Sequence, residues 1–217
     1  MRLSTTIISL GLIFSSQAVA EQKMIYESVI KGDAVKVFWD SEEKENKTHI
    51  KIVKREKNVT MECLPDFSLL NYSEKTGGSR ELSISKVGPC LIVKNYEKGK
   101  EKILSHKIDK MPWIQEFTFG FQSFIKSNKN SYEFCIVYPK DLALHEMVAT
   151  KEEEEEIEIA GKKYSTQKVK ITLAGFKKSF WKGYAWFDKQ SALMVRYKAN
   201  EGPRTPYMET SLIEVIQ

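Results

Sequence analysis

No apolar run in this 217-residue sequence is long enough to cross a bilayer as a helix. The most apolar stretch, Ile7 to Phe14, is eight residues, against about 20 for a membrane-spanning helix. Histidine is scarce. The three present, His49, His106 and His145, stand far apart and supply no local ligand set for a transition metal. His145-Glu146 opens like a zinc-protease helix signature, but Ala149 occupies the place of the second histidine. There is no glycine-rich phosphate loop, and Gly77-Gly78-Ser79 lacks the Gly-x-Ser-x-Gly spacing of a nucleophile elbow. A strong charge bias is missing too. The formal net charge is +5, too mild for a nucleic-acid footprint. Together these absences predict a protein that is not an enzyme, needs no metal or other cofactor and has no nucleic-acid partner.

Cysteine is sparse. Cys63, Cys90 and Cys135 allow at most one intramolecular disulfide. Cys63–Cys90 is the most local pair, while apolar neighbours such as Leu91 and Phe134 suit free thiols buried as small hydrophobes. Both readings stand at this point.

What is present begins with a leader. Met1-Arg2 is a short positive start, Ile7 to Phe14 an apolar core, and Ala18-Val19-Ala20 a small-x-small end before Glu21. That order is the signature of a secretory signal peptide cleaved after Ala20. Residue 21 is not the cysteine that bacterial lipid attachment requires. The expected layout is therefore a signal peptide over 1–20 and a single β-rich domain over 21–217, soluble in the periplasm without a transmembrane anchor.

Short alternating runs broken by turn residues fill the chain from Met24 to Ile108, the pattern of an antiparallel sheet built hairpin by hairpin. Strands are expected at 24–30, 34–39, 48–54, 59–63, 69–72, 81–87, 91–96 and 102–108. Further strands are expected at 131–138, 144–151, 152–159, 162–173, 181–188, 192–198 and 207–216. Ala160-Gly161 reads as a two-residue hairpin turn that sets Glu158 opposite Lys163 and Glu153 opposite Lys168. The glutamates from 152 to 156 and at 158 then form a solvated, lysine-paired strand rather than a Ca²⁺ site, because alternate strand residues point to opposite faces.

Between the two groups of strands the period changes. Asp109 and Pro112 suit a helix start, and Trp113, Phe117, Phe121 and Phe124 fall on one helical face. The predicted fold is mainly β: a strongly curved antiparallel sheet or open barrel wrapping one amphipathic helix over about 112–127. An aromatic stripe of this kind must leave water, and the concave side of the sheet is where it would go.

Gly161-Lys162-Lys163-Tyr164, Lys168-Val169-Lys170-Ile171, Phe180-Trp181, Trp186-Phe187-Asp188 and Arg196-Tyr197 together resemble exported bacterial proteins of uncharacterised function with a lipoprotein-carrier-like fold. The resemblance covers about residues 113–217. It implies an antiparallel sheet curled into an unclosed barrel around a helix, and an apolar concavity that holds acyl chains. Candidate ligand-binding residues are Trp113, Phe117, Phe121 and Phe124 on the helix, with Trp181 and Trp186 from an aromatic-rich segment interleaved with Lys177, Lys178 and Lys182. The expected role is non-catalytic binding or carrying of a hydrophobic or lipid-like ligand. An envelope protein docked on a strand edge, or on the Asn200–Pro206 loop stiffened by two prolines, is the rival expectation.

Overall fold

The computed structural model describes residues 21–78, 80–200 and 205–216. The expected signal peptide, Ser79 of the Gly77-Gly78-Ser79 sequence and the middle of the Asn200–Pro206 loop lie outside the described residues.

The strands are β1 (Gln22–Ile30), β2 (Asp33–Lys44), β3 (Lys47–Lys54), β4 (Lys57–Cys63), β5 (Leu69–Thr76), β6 (Arg80–Val87), β7 (Cys90–Glu97) and β8 (Lys100–Lys107). Two short helical segments follow, α1 (Phe117–Gly120) and α2 (Gln122–Lys126). The second series is β9 (Ser131–Val137), β10 (Leu144–Ile159), β11 (Lys162–Leu173), β12 (Lys182–Asp188), β13 (Met194–Asn200) and β14 (Tyr207–Ile216). All join one 14-stranded antiparallel sheet, ordered β8-β7-β6-β5-β4-β3-β2-β1-β14-β13-β12-β11-β10-β9. Sequential hairpins build each half, and β1 paired with β14 joins them. The sheet does not close: β8 and β9 are its free edges.

Alternation supplies the wall. Met24, Tyr26 and Ser28 on β1, Val37 and Trp39 on β2, Ile50 and Ile52 on β3, and Leu82 and Ile84 on β6 are buried, while Ile25, Glu27, Phe38, Lys51 and Ser83 between them point to the other face and are more exposed. At the Ala160-Gly161 turn both residues have positive φ, 49° and 78°, the combination that matches the twist of paired strands. Glu158 pairs with Lys163 across it.

Two expected strands, 144–151 and 152–159, are one continuous strand, β10, with a register shift between Lys151 and Glu154. Glu153 therefore drops out of the ladder, yet its carboxylate still lies 2.5 Å from Lys168 Nζ.

The helix differs more from expectation. Residues 112–114 are not helical: Cys135 N–H donates to Pro112 O at 2.8 Å and Ile114 N–H to Cys135 O at 3.0 Å, a parallel bridge on β9. Gln115 extends it with its side chain, donating Nε2 to Val137 O at 2.7 Å and accepting from Val137 N–H at 3.2 Å. The cause is tertiary. Edge strand β9 leaves backbone groups unpaired, and those groups claim the segment that helical periodicity alone would assign to a first turn. The remaining helix breaks at Phe121 and ends where Lys151 Nζ meets the carbonyls of Ile125 and Ser127 at 3.1 and 2.6 Å, a cation at a helix C-terminus.

The helical segments touch both halves of the sheet. Phe119 meets Trp39 on β2 (5.9 Å between ring centroids), while Phe117 meets Tyr197 on β13 (5.6 Å) and Phe121 meets Phe187 on β12 (5.9 Å). A sheet reaching one short helix from such distant strands must curl round it. The turn after β9 completes the curl: Leu142 O lies 2.8 Å from His106 Nε2 on β8, and Pro139 O accepts from the Arg80 guanidinium on β6. Among the described residues no helix is long and apolar enough to cross a membrane.

Of the two readings of the cysteines, the structure has the free thiols and not the Cys63–Cys90 bridge: none of the three is paired. β5 and β6 stand between β4 and β7, which at about 4.8 Å per strand keeps the pair well beyond disulfide reach. Burial pushes both the Cys63 and Cys135 thiols up to about 12.

Candidate ligand-binding cleft

The inward positions of the strands change character toward one end. Along β3 they run Thr48, Ile50, Ile52, Lys54; along β4, reading back, Cys63, Met61, Val59, Lys57; along β5, Tyr72, Glu74, Thr76. The same two-residue period thus lays an apolar floor and then a polar collar above it. Between collar and helix lies a solvent-open cleft of about 930 Å³, within the size range of small-molecule sites. Val37, Trp39, Ile52 and Val59 form one wall, and Phe117, Met194, Tyr197 and Met208 the other.

The collar is charged. Lys57 Nζ sits 2.7 Å from Glu74 Oε2, which also accepts from the Tyr72 hydroxyl at 2.7 Å. Burial alone would raise the Glu74 pKa, but the Lys57 ammonium and the hydrogen bonds from Lys57 and Tyr72, with Arg80 nearby, hold it below the usual glutamate value. Lys54 Nζ donates to Ser28 Oγ at 3.0 Å. Deeper down, the residue preceding α1 is Glu116, which also lines the cleft. Its surface is only half-buried because it faces the cleft, yet protein surrounds it on the other sides. Desolvation raises its pKa; Lys57 and Lys54 oppose that rise and Glu74 adds to it. No hydrogen bond or ion pair from a described residue reaches this carboxyl. The chemistry assembled here is apolar contact below, cationic groups at the mouth and one carboxyl biased toward its neutral form.

The six candidate residues do not converge. Only Phe117 lines the cleft. Phe121 is fully buried, with Phe134, Phe187, Phe124 and Tyr132 around it at 5.1, 5.9, 6.2 and 6.3 Å. The region beneath Phe121 and Phe124 is filled by rings, so the open space lies beside Phe117 and not under the whole stripe. Trp113 is buried and donates Nε1–H to Gln115 Oε1 at 3.1 Å. Trp181 stands near the cleft: a Cβ on Gly183 would lie 3.1 Å from its ring and 3.3 Å from the Tyr197 hydroxyl. Trp186 is on the opposite, outer face, under Lys168 and Arg196, with its Nε1–H donated to Glu155 at 2.6 Å.

The residues that sequence reasoning missed are Val37, Trp39, Ile52, Val59 and Met208 on the walls, Lys54 and Lys57 in the collar above them, and Glu116 deeper down. One signal was legible. Lys54 and Lys57 occupy inward parity in otherwise apolar alternations, and a lysine placed on the buried side of a strand marks a solvated or functional interior.

Fold and cleft together define an open, barrel-like β protein with an amphipathic interior. No protein-family model and no curated protein matches the chain. Among solved structures it is similar to a beta-barrel-like protein of domain of unknown function DUF1849 from Brucella abortus. That match has a TM-score of 0.62 at 11% identity and covers 92% of this chain and 99% of that one. It shows a shared fold over nearly the whole of both chains. Other structural neighbours are the hypothetical lipoprotein YmcC from Escherichia coli (TM-score 0.39, 11% identity, 91% and 86% covered) and the LolA superfamily protein NE2245 from Nitrosomonas europaea (TM-score 0.26, 7% identity, 92% and 86% covered). The barrel-like fold that the C-terminal motifs imply is thus shared with the Brucella protein of unknown function.

Proposed function

We propose that this chain is an exported, periplasmic, non-catalytic protein that binds or carries an amphipathic, lipid-like molecule in the cleft beside Phe117. The observation that carries the reading is the gradient inside one cavity of about 930 Å³: an apolar floor on Val37, Trp39, Ile52 and Val59 beneath the Lys54 and Lys57 ammonium groups. An acyl chain gains by leaving water along that floor. An anionic or polar head then stays at the wet mouth, where lysines keep their charge in solvent while their stems cover apolar surface.

Native mass spectrometry after gentle purification, followed by titration with a fluorescent fatty acid, tests this. The expected result is a co-purified amphiphile or saturable uptake, weakened about tenfold by Ile52→Trp, which fills the floor. A ligand-free protein that ignores the fatty acid overturns the proposal.

A further inference from the structure

The turn joining β11 to β12 presents aromatic rings to solvent on a basic background. It contains a 3-10 segment, Gly175–Ser179, and every residue from Gly175 to Phe180 is exposed. Phe176 is 84% and Phe180 66% exposed, the highest values among the exposed large hydrophobic residues. Most other exposed hydrophobics, such as Val87 and Ile103, stand singly on strands, as is ordinary for a soluble surface. Residues 174–182 carry Lys177, Lys178 and Lys182 and no acidic residue. No ion pair joins these lysines to the described residues.

The protrusion is held at both feet. Ala174 N–H donates to Glu146 O at 2.9 Å, and Trp181 Nε1–H donates to Asn200 O at 2.6 Å. Gly175, at φ 63°, turns the chain outward, a conformation glycine adopts without strain. Phe180 N–H closes the segment onto Lys177 O at 3.0 Å. The two rings are thus displayed on a fixed support. The turns β1–β2, β3–β4 and β13–β14 lie at this same end of the strands, and Tyr207, 54% exposed, begins β14 there. Trp181, at the foot of the turn, packs beside Tyr197 of the cleft.

We propose that Phe176 and Phe180 dock this protein on an anionic lipid surface, the rings entering the acyl boundary while Lys177, Lys178 and Lys182 meet the headgroups. Aromatic insertion and lysine attraction are the two contributions that bind a peripheral segment to a bilayer, and neither suffices alone for firm attachment. The charge complementarity selects an anionic bilayer over a zwitterionic one. Docking here brings the cleft's end of the strands to the membrane.

Co-sedimentation with vesicles of phosphatidylglycerol and phosphatidylethanolamine, against vesicles of phosphatidylcholine alone, tests the proposal. The chain is expected to sediment with the former and stay in solution with the latter. Phe176→Ser with Phe180→Ser should lower the partition constant about tenfold or more, and each of Lys177→Ser and Lys178→Ser roughly fivefold, with a weaker salt dependence. Uptake of a fluorescent fatty acid by the phenylalanine variant reads the cleft separately, so a failure of docking is distinguishable from a failure of ligand binding. A chain that ignores anionic vesicles, or a phenylalanine variant that binds them as the unaltered chain does, overturns it.

Discussion

The ammonium of Lys57 lies 2.7 Å from the carboxylate of Glu74, whose side chain is only 6% exposed. The pair spans β4 and β5 at the rim of the cleft. Removing the lysine strands a buried charge. Lys57→Ala should therefore cost about 2 kcal/mol, below the figure for a fully enclosed pair because Lys57 itself is 37% exposed. Urea denaturation of the single variants and of Lys57→Met/Glu74→Gln checks this, with the double variant recovering most of the loss. Because the folded pKa of Glu74 is depressed, its contribution is present above the ordinary glutamate range and fades as pH falls through the folded value.

Glu116 runs the other way. Its pKa is raised in the fold, first by desolvation, so its contribution to stability is full at acid pH below the ordinary glutamate value and is lost as pH rises through the raised one. Glu116→Gln should raise the melting temperature at neutral pH and leave it unchanged in acid. Equal shifts at both pH values would show that the carboxyl is not ionising in the cleft.

Phe117 and Phe121 stack in parallel, 5.2 Å between centroids, but only one of them faces the opening. Phe121→Ala removes a ring enclosed by other rings and should cost about 3–5 kcal/mol. Phe117→Ala enlarges an existing opening and should cost less while altering fatty-acid affinity. Thermal melts and ligand titration on both variants separate the core role from the lining role.

Gln115 imitates a strand's backbone against Val137 on the sheet edge. Gln115→Ala leaves both Val137 groups without that partner, at a cost of about 1–3 kcal/mol. Amide exchange at Val137 should rise more than exchange at β1, where ladder pairing continues on both sides.

Cys63 and Cys135 are 3% and 0% exposed, with thiols raised to about 12. Both should resist alkylation until the chain unfolds, while the half-buried Cys90 reacts first. Mass spectrometry of native and urea-treated protein after iodoacetamide counts the adducts. Early modification of Cys135 would contradict its position behind the Trp113 bridge.

The strand ladder was legible in the sequence because each hairpin is a local object: a two-residue period, a turn residue that tolerates positive φ, then the period again. Ala160-Gly161 and its Glu158–Lys163 pair show this directly. The helix was only half legible. Spacing from Trp113 to Phe124 fits a helical face, but residues 112–115 answer to the unpaired edge of β9, which no local pattern reveals. Trp186 stands away from the cleft for a similar reason. A cluster of aromatics in sequence alternates between the two faces of a strand, and the register shift beside Trp186 in its pairing with β13 complicates which ring faces inward.

The sequence by itself determined a β-rich wall, its antiparallel pairing and an aromatic segment that had to be covered, since period and turn chemistry act over a few residues. Tertiary structure decided where space remains. The cleft takes residues from β2, β3, β4, β5, β13 and β14 and from the start of α1, and its amphipathic character exists only once the sheet curls and sets the inward lysines of β3 and β4 above Trp39, within reach of Glu116.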